Sequence, residues 1–176
     1  MEDQKKADRR KKIIGSVLLA LLALGVIFGA LKYQQSLKNK NSEVEQGTVI
    51  YDSKFKSNAP GNLVFPAYTK DIVVKQKDDK LPIVLANPKV NKNVYFQYVL
   101  TVEKERGKEY TNIGKSKLIA AGRASNQLQL NKKEMRVVAK GKHKCRLNVY
   151  AFTYNKKDNK KIKLNQAYWD FNLTVQ

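Results

Sequence analysis

The only histidine and the only cysteine of the chain, His143 and Cys145, stand two residues apart, with Arg146 beside them. A thiol, an imidazole and a guanidinium are the parts of an activated cysteine nucleophile, in which a neighbouring base and cation favour the thiolate. Spacing decides whether they can act together. The context GKHKCRLNVYAFTY alternates apolar and polar residues, so it reads as a strand in which residues i and i+2 share a face about 6–7 Å apart. That is too far for a direct hydrogen bond. Cys145 is therefore expected as a small core hydrophobe in a stripe with Leu147, Val149 and Ala151, and His143 as a partly exposed residue at the strand start.

Other chemistry is equally sparse. Structural zinc needs about four Cys, His or carboxylate ligands at short spacings, and one His and one Cys cannot supply them. Asp78 and Asp79, the closest approach to a calcium loop, are flanked by Lys75, Lys77 and Lys80. The nine glycines are scattered, with no phosphate-cradling loop. Glu103, Glu105 and Glu109 surround Arg106 and Lys108, as solvated ion pairs in a hairpin would. The expectation is a non-enzymatic protein without metal or cofactor.

The elements that hold these residues are short. From Thr48 onward, apolar runs alternate with Asn, Asp, Lys, Gly and Pro. This predicts strands at Leu63–Tyr68, Asp71–Gln76, Leu81–Ala86, Val94–Glu103, Glu109–Leu118, Ser125–Leu130, His143–Tyr154 and Ala167–Val175. The fold class expected is mainly β, an immunoglobulin- or fibronectin-like antiparallel sandwich with a single core. Phe96, Tyr98, Leu100 and Val102 share one strand face, and so do Trp169, Phe171, Leu173 and Val175. The same parity turns Tyr150 and Phe152 outward, either to pack on lysine stems or to form a partner patch. Asn131–Lys142 is expected as a long turn or a lysine-protected edge strand. With Lys144 it offers Lys132, Lys133, Arg136, Lys140, Lys142 and Lys144 as a candidate contact for polyanions or partners. A single Cys leaves no internal disulfide, so the core alone must hold the fold.

Ahead of this domain lies Ile13–Leu31, IIGSVLLALLALGVIFGAL, uncharged throughout. At about 1.5 Å per residue it covers roughly 28 Å, near the ~30 Å of a bilayer core, and predicts one N-terminal transmembrane helix. Six Lys and Arg precede it within residues 1–12, against Lys32, Lys38 and Lys40 over the same distance after it. The short N-terminus is then cytoplasmic and the rest extracellular, a single-pass signal anchor in the cell membrane. Cleavage as a signal peptide fits less well, since the apolar run is long and no small-x-small site closes it. The expected divisions are a basic N-terminus at 1–12, the span at 13–31, a polar stalk at 32–47 and the β domain at 48–176. Gly25 and Gly29 form a small-xxx-small pair through which two such helices could self-associate in the lipid bilayer.

Charge bears on partners. The chain holds 35 Lys and Arg against 15 Asp and Glu, a net +20. Such a field attracts polyanions, among which anionic wall polymer, lipid headgroups and DNA are the candidates outside a membrane. Tyr95, Tyr110, Tyr150 and Tyr154 are the rings that could stack with bases. The order of the segments NLVFPAYTKDIVV, LPIVLANPKVNKNVYFQYVLTV, KSKLIAAGRASNQLQLNK, GKHKCRLNVYAFTY and KLNQAYWDFNLTV resembles small membrane-tethered β-sandwich proteins of Gram-positive bacteria, often encoded on mobile or conjugative elements. The fitting positions are the turn at Asn87 and Pro88, the Leu118–Gly122 turn, Leu128 and Leu130, Gly141, and Leu164–Ala167. The chain departs by extra residues between Asn131 and Gly141 and by lacking Pro at Ala120 or Ala121. The resemblance implies a sandwich in the envelope and supplies no catalytic residue. The leading expectation is a scaffold or adaptor that meets other membrane or envelope proteins in a conjugation or secretion complex. The alternative is a binding module for anionic wall polymer or DNA, and a third reading is a sortase-like thiol enzyme.

Overall fold

The structure, a computed structural model, describes residues 29–35, 43–51, 61–68, 71–104 and 109–176. The chain divides into two units, Met1–Ser42 and Glu43–Gln176. In the first, residues 29–35 are helical (α1). The expected span Ile13–Leu31 meets the described residues only at Gly29, Ala30 and Leu31. The rest of the span, Gly25 and the basic N-terminus lie outside the described residues. Among the described residues no helix is long and apolar enough to cross a membrane. Around Gly29 there is open space where a side chain would stand.

The second unit is mainly β. Its elements are β1 (Val49–Ile50), β2 (Ile72–Val74), β3 (Lys80–Asn87), β4 (Tyr95–Glu103), β5 (Tyr110–Lys115), β6 (Ile119–Ala120), β7 (Arg123–Gln129), α2 (Lys132–Val137), β8 (Gly141–Tyr154) and β9 (Lys161–Val175). They form a three-stranded sheet, β1-β7-β3, and a six-stranded sheet, β2-β9-β8-β4-β5 with β6 on β4. One core unites them: Leu81, Leu85 and Leu128 from the small sheet meet Phe96, Tyr98, Leu100, Leu147, Val149 and Leu173 from the large one. Pairing among the strands is antiparallel, as expected, except that β2 runs parallel to the end of β9, Ile72 opposite Leu173; outside the strands, Val44 forms a parallel bridge to Leu118.

Four departures from the sequence reading have physical reasons. Leu63–Tyr68 is not a strand. Its apolar side chains instead pack on the core, Phe65 stacking on Phe96 at 4.9 Å and Tyr68 meeting Tyr98 and Trp169 edge to face. Its backbone is held by a side chain, Val64 N donating to Asn91 Oδ1 and Asn91 Nδ2 donating to Val64 O. Asn131–Lys142, expected as a turn or edge strand, contains the helix α2. Asn131 caps it by accepting from the N–H groups of Lys133 and Glu134, and Met135 is fully buried beneath it. β9 begins at Lys161, six residues before the expected start, because the long β8 carries the polar stretch KIKLNQ along by main-chain pairing past a bulge near Ala151. Finally, the folded unit begins at Glu43, inside the expected stalk. Leu118 N donates to Glu43 O, and Glu45 N donates to Leu118 O, both at 2.8 Å.

Buried amides tie neighbouring segments to the core. Asn87, fully buried, donates to the carbonyls of Val94 and Ile119 at 2.8 and 2.9 Å, and Asn91 donates to Asn87 Oδ1 at 3.0 Å. The loop Asn91–Val94 and strand β6 thus meet on one side chain. Truncating it leaves two carbonyls and one amide unpaired away from water, and each such group costs about 1–3 kcal/mol. Asn87→Ala should therefore lower unfolding free energy in urea by about 3 kcal/mol or more, whereas Lys89→Ala in the same loop should change it by less than about 0.5 kcal/mol. An Asn87→Ala protein as stable as the parent would show that the amide does not tie these segments.

Candidate functional site

The reactive pair does not assemble. Cys145 is 1% exposed, its Sγ donates to Phe171 O at 3.3 Å, and burial pushes its thiol up to about 12. At neutral pH it is a protonated core group. His143 lies on the same side of β8, but its ring nitrogen pairs with Ala139 O at 2.7 Å. Arg146 points to the opposite face, as the two-residue period of a strand requires. Its guanidinium forms a two-pronged bond to Asp170, Nε to Oδ1 at 2.7 Å and an Nη to Oδ2 at 2.9 Å. That bond holds the Asp170 carboxyl below its usual range. Among the described residues no three His, Cys, Asp or Glu side chains gather as metal ligands.

What the fold does gather is a face of the six-stranded sheet turned away from the core. Register sets its rows: Tyr95 opposite Phe152, Gln97 opposite Tyr150, Val99 opposite Asn148 and Thr101 opposite Arg146. On the other side of β8, Phe152 faces Lys163, Tyr150 faces Gln166, Asn148 faces Tyr168 and Arg146 faces Asp170. Tyr95, Tyr110, Tyr150 and Tyr154, dispersed in the sequence, thus share one surface with Phe152 and Tyr168. Three cations there lie against rings. Arg146 sits 4.1 Å from the Tyr168 ring centre and 5.0 Å from that of Tyr110, Lys163 sits 4.5 Å from Tyr150, and Lys161 sits 5.5 Å from Phe152. Tyr168 remains 57% exposed and Tyr110 42%. Tyr150 and Phe152, expected outward, are half-buried, with the ammonium groups of Lys163 and Lys161 over their rings.

Glu43 joins the same surface from the start of the folded unit. Its carboxylate accepts from Lys161 Nζ at 2.7 Å and from Tyr154 OH at 3.1 Å. The Lys161 bond is the main reason that its pKa is lowered. Lys161 and Lys163 escape a sequence reading because they precede the expected strand Ala167–Val175, Tyr168 is an outward residue of that strand, and Glu43 lies in an apparent stalk.

The basic residues singled out around Asn131–Lys144 have different neighbours. Lys132 lies 3.8 Å from Asp79, and Lys142 lies 3.9 Å from Asp71, which is bonded to Asn172. Lys133 and Arg136 are on α2, and Arg136 O accepts from Gln76 Nε2. Lys144 extends from β8 opposite Asn172. Lys140 lines a different groove, of about 350 Å³, with Lys75 and Lys77. Asn131 caps a helix here rather than opening a loop.

No protein-family model, curated protein or solved structure matches this chain. The site therefore rests on its own geometry. A sealed, protonated thiol makes a direct forecast: a small alkylating reagent at neutral pH should leave Cys145 unmodified in the folded protein and modify it fully in denaturant, as read by mass spectrometry. Rapid labelling of the native protein would contradict the buried placement.

Proposed function

We propose that this protein is a membrane-anchored, non-enzymatic adaptor, with an immunoglobulin- or fibronectin-like sandwich held outside the cell by the apolar segment Ile13–Leu31, serving an envelope complex such as one for conjugation or secretion. The observation that carries this reading is the division of labour across β8. The one thiol is sealed in the core, while Arg146, Lys161 and Lys163 and the rings that they lie against are collected on the open side of the large sheet. A surface of that kind holds a partner and does not transform one. The charge asymmetry about the apolar segment supports the outward orientation, and the resemblance to tethered Gram-positive sandwich proteins supports the location.

Mild chemical crosslinking in native membranes, followed by detergent extraction, should recover the chain joined to other membrane proteins. Protease added to cells stripped of their wall should degrade Glu43–Gln176 and leave a small anchored fragment. A chain recovered alone, or one fully protected from protease, would contradict the proposal.

A further inference from the structure

Beside the rings of the open face runs a shallow groove of about 380 Å³, lined in part by Lys115, Lys117, Lys161 and Glu43. Three of these four side chains are cations. The fourth is a carboxylate that the main chain holds in place, since Glu43 O is bonded to Leu118 N. It accepts from an ammonium and a phenol together, Lys161 Nζ and Tyr154 OH. That is the pair of donors an oxyanion of another molecule would use. Next to them, Lys163 lies over the Tyr150 ring and Lys161 over the Phe152 ring. One short reach thus offers an ammonium for a phosphate and an aromatic face for whatever the phosphate carries.

We propose that this groove and the rings beside it bind single-stranded nucleic acid, with phosphates on Lys115, Lys117, Lys161 and Lys163, bases on Tyr150 and Phe152, and the Glu43 carboxylate occupying a phosphate position when no strand is bound. Proteins that hold single strands without sequence preference combine these parts: a basic groove along the backbone and rings on which bases stack. A duplex keeps its bases stacked on one another and leaves the rings unused. A polyol phosphate polymer offers the same phosphodiesters and no base, so Tyr150 and Phe152 gain nothing from it. The groove at Lys75, Lys77 and Lys140 is a comparison within the same molecule: neither lining includes Tyr or Phe, but Lys161 of the first groove lies over the Phe152 ring, and among the described residues Lys75, Lys77 and Lys140 have no such contact.

The proposal deepens the adaptor reading by naming what the open face holds. Its test uses purified full-length protein in detergent micelles, so it can fail while crosslinking in membranes succeeds, and the reverse. Binding of a fluorescent oligothymidylate is followed by anisotropy across a range of salt concentrations. For single strands the logarithmic salt slope is about 0.7 per phosphate contact, so Lys161→Gln with Lys163→Gln should reduce it by about 1.4. Lys75→Gln with Lys77→Gln, the same change in charge, should leave it unaltered. Tyr150→Ala should weaken binding about 5- to 150-fold, the equivalent of one stacked base, and Tyr150→Phe should restore it. Glu43→Gln should tighten binding, because it removes the competing carboxylate while keeping the main-chain bonds. Circular dichroism checks the fold of each variant, and Phe152→Leu replaces Tyr150→Ala should the latter unfold. Equal effects of the two lysine pairs, an unchanged affinity on ring removal, or competition by polyglycerol phosphate or duplex DNA as strong as by the oligothymidylate would each overturn the proposal.

Discussion

Strand β8 buries Cys145, Leu147, Val149 and Ala151 to 1% exposure or less, and successive side chains of a strand point to opposite faces, so Arg146, Asn148, Tyr150 and Phe152 are committed to the other side. The rest of the structure depends on that alternation. It separates Cys145 from Arg146, its neighbour in sequence, and turns a suggestive cluster into two unrelated groups. It also places Tyr150 and Phe152 between the outward residues of β4 and β9. A register slip of one residue would exchange the two sets and expose the whole apolar stripe, a cost that fixes the pairing on both flanks. The bulge near Ala151 adjusts β9 without breaking this rule, since Phe152 and Lys163 still share the outer face.

Closure of the core relies on polar groups as much as on apolar ones. Tyr98, fully buried, donates its hydroxyl to Ala86 O on the facing sheet, and Tyr68 OH lies 3.3 Å from that hydroxyl. Burial raises the pKa of both phenols, so they remain neutral at physiological pH. Together with Asn87 and Asn91 they fasten the segment at Leu63–Tyr68 across the gap between the sheets. Without a disulfide, such satisfied buried polar groups and the apolar stripe are what hold the unit together.

Much of this was legible in the chain. Alternation in Val94–Glu103, His143–Tyr154 and Ala167–Val175 marks the three central strands with the correct inward faces, because these strands bury one side along most of their length. The poverty of reactive residues was equally plain. What alternation cannot reveal is pairing driven by the backbone. Lys161–Gln166 is exposed on both faces and forms a strand only because β8 lies beside it. Glu43 is polar in a polar run, and its place depends on bonds to Leu118. The Asn131 cap, followed by Glu134 three residues on, was a readable start signal, but six residues of helix are too few for periodicity to declare itself. The open face was thus only half visible: its β4 and β8 residues could be read, and its β9 cations could not.

The positive charge of the chain is spread widely, yet among the described residues the cations that lie against rings, Arg146, Lys161 and Lys163, are all on the open face. Lys132 and Lys142 reach carboxylates, and Lys140 lines a second groove with Lys75 and Lys77. This difference gives the central claim, that the open face of the six-stranded sheet is the working surface, a direct measurement. Lysine acetylation footprinting by mass spectrometry can compare the chain in intact envelopes with the purified protein in detergent. Lys115, Lys161 and Lys163 should be protected in the envelope while Lys75, Lys77 and Lys140 react equally in both. Protection of the second group with free reaction of the first would contradict the account.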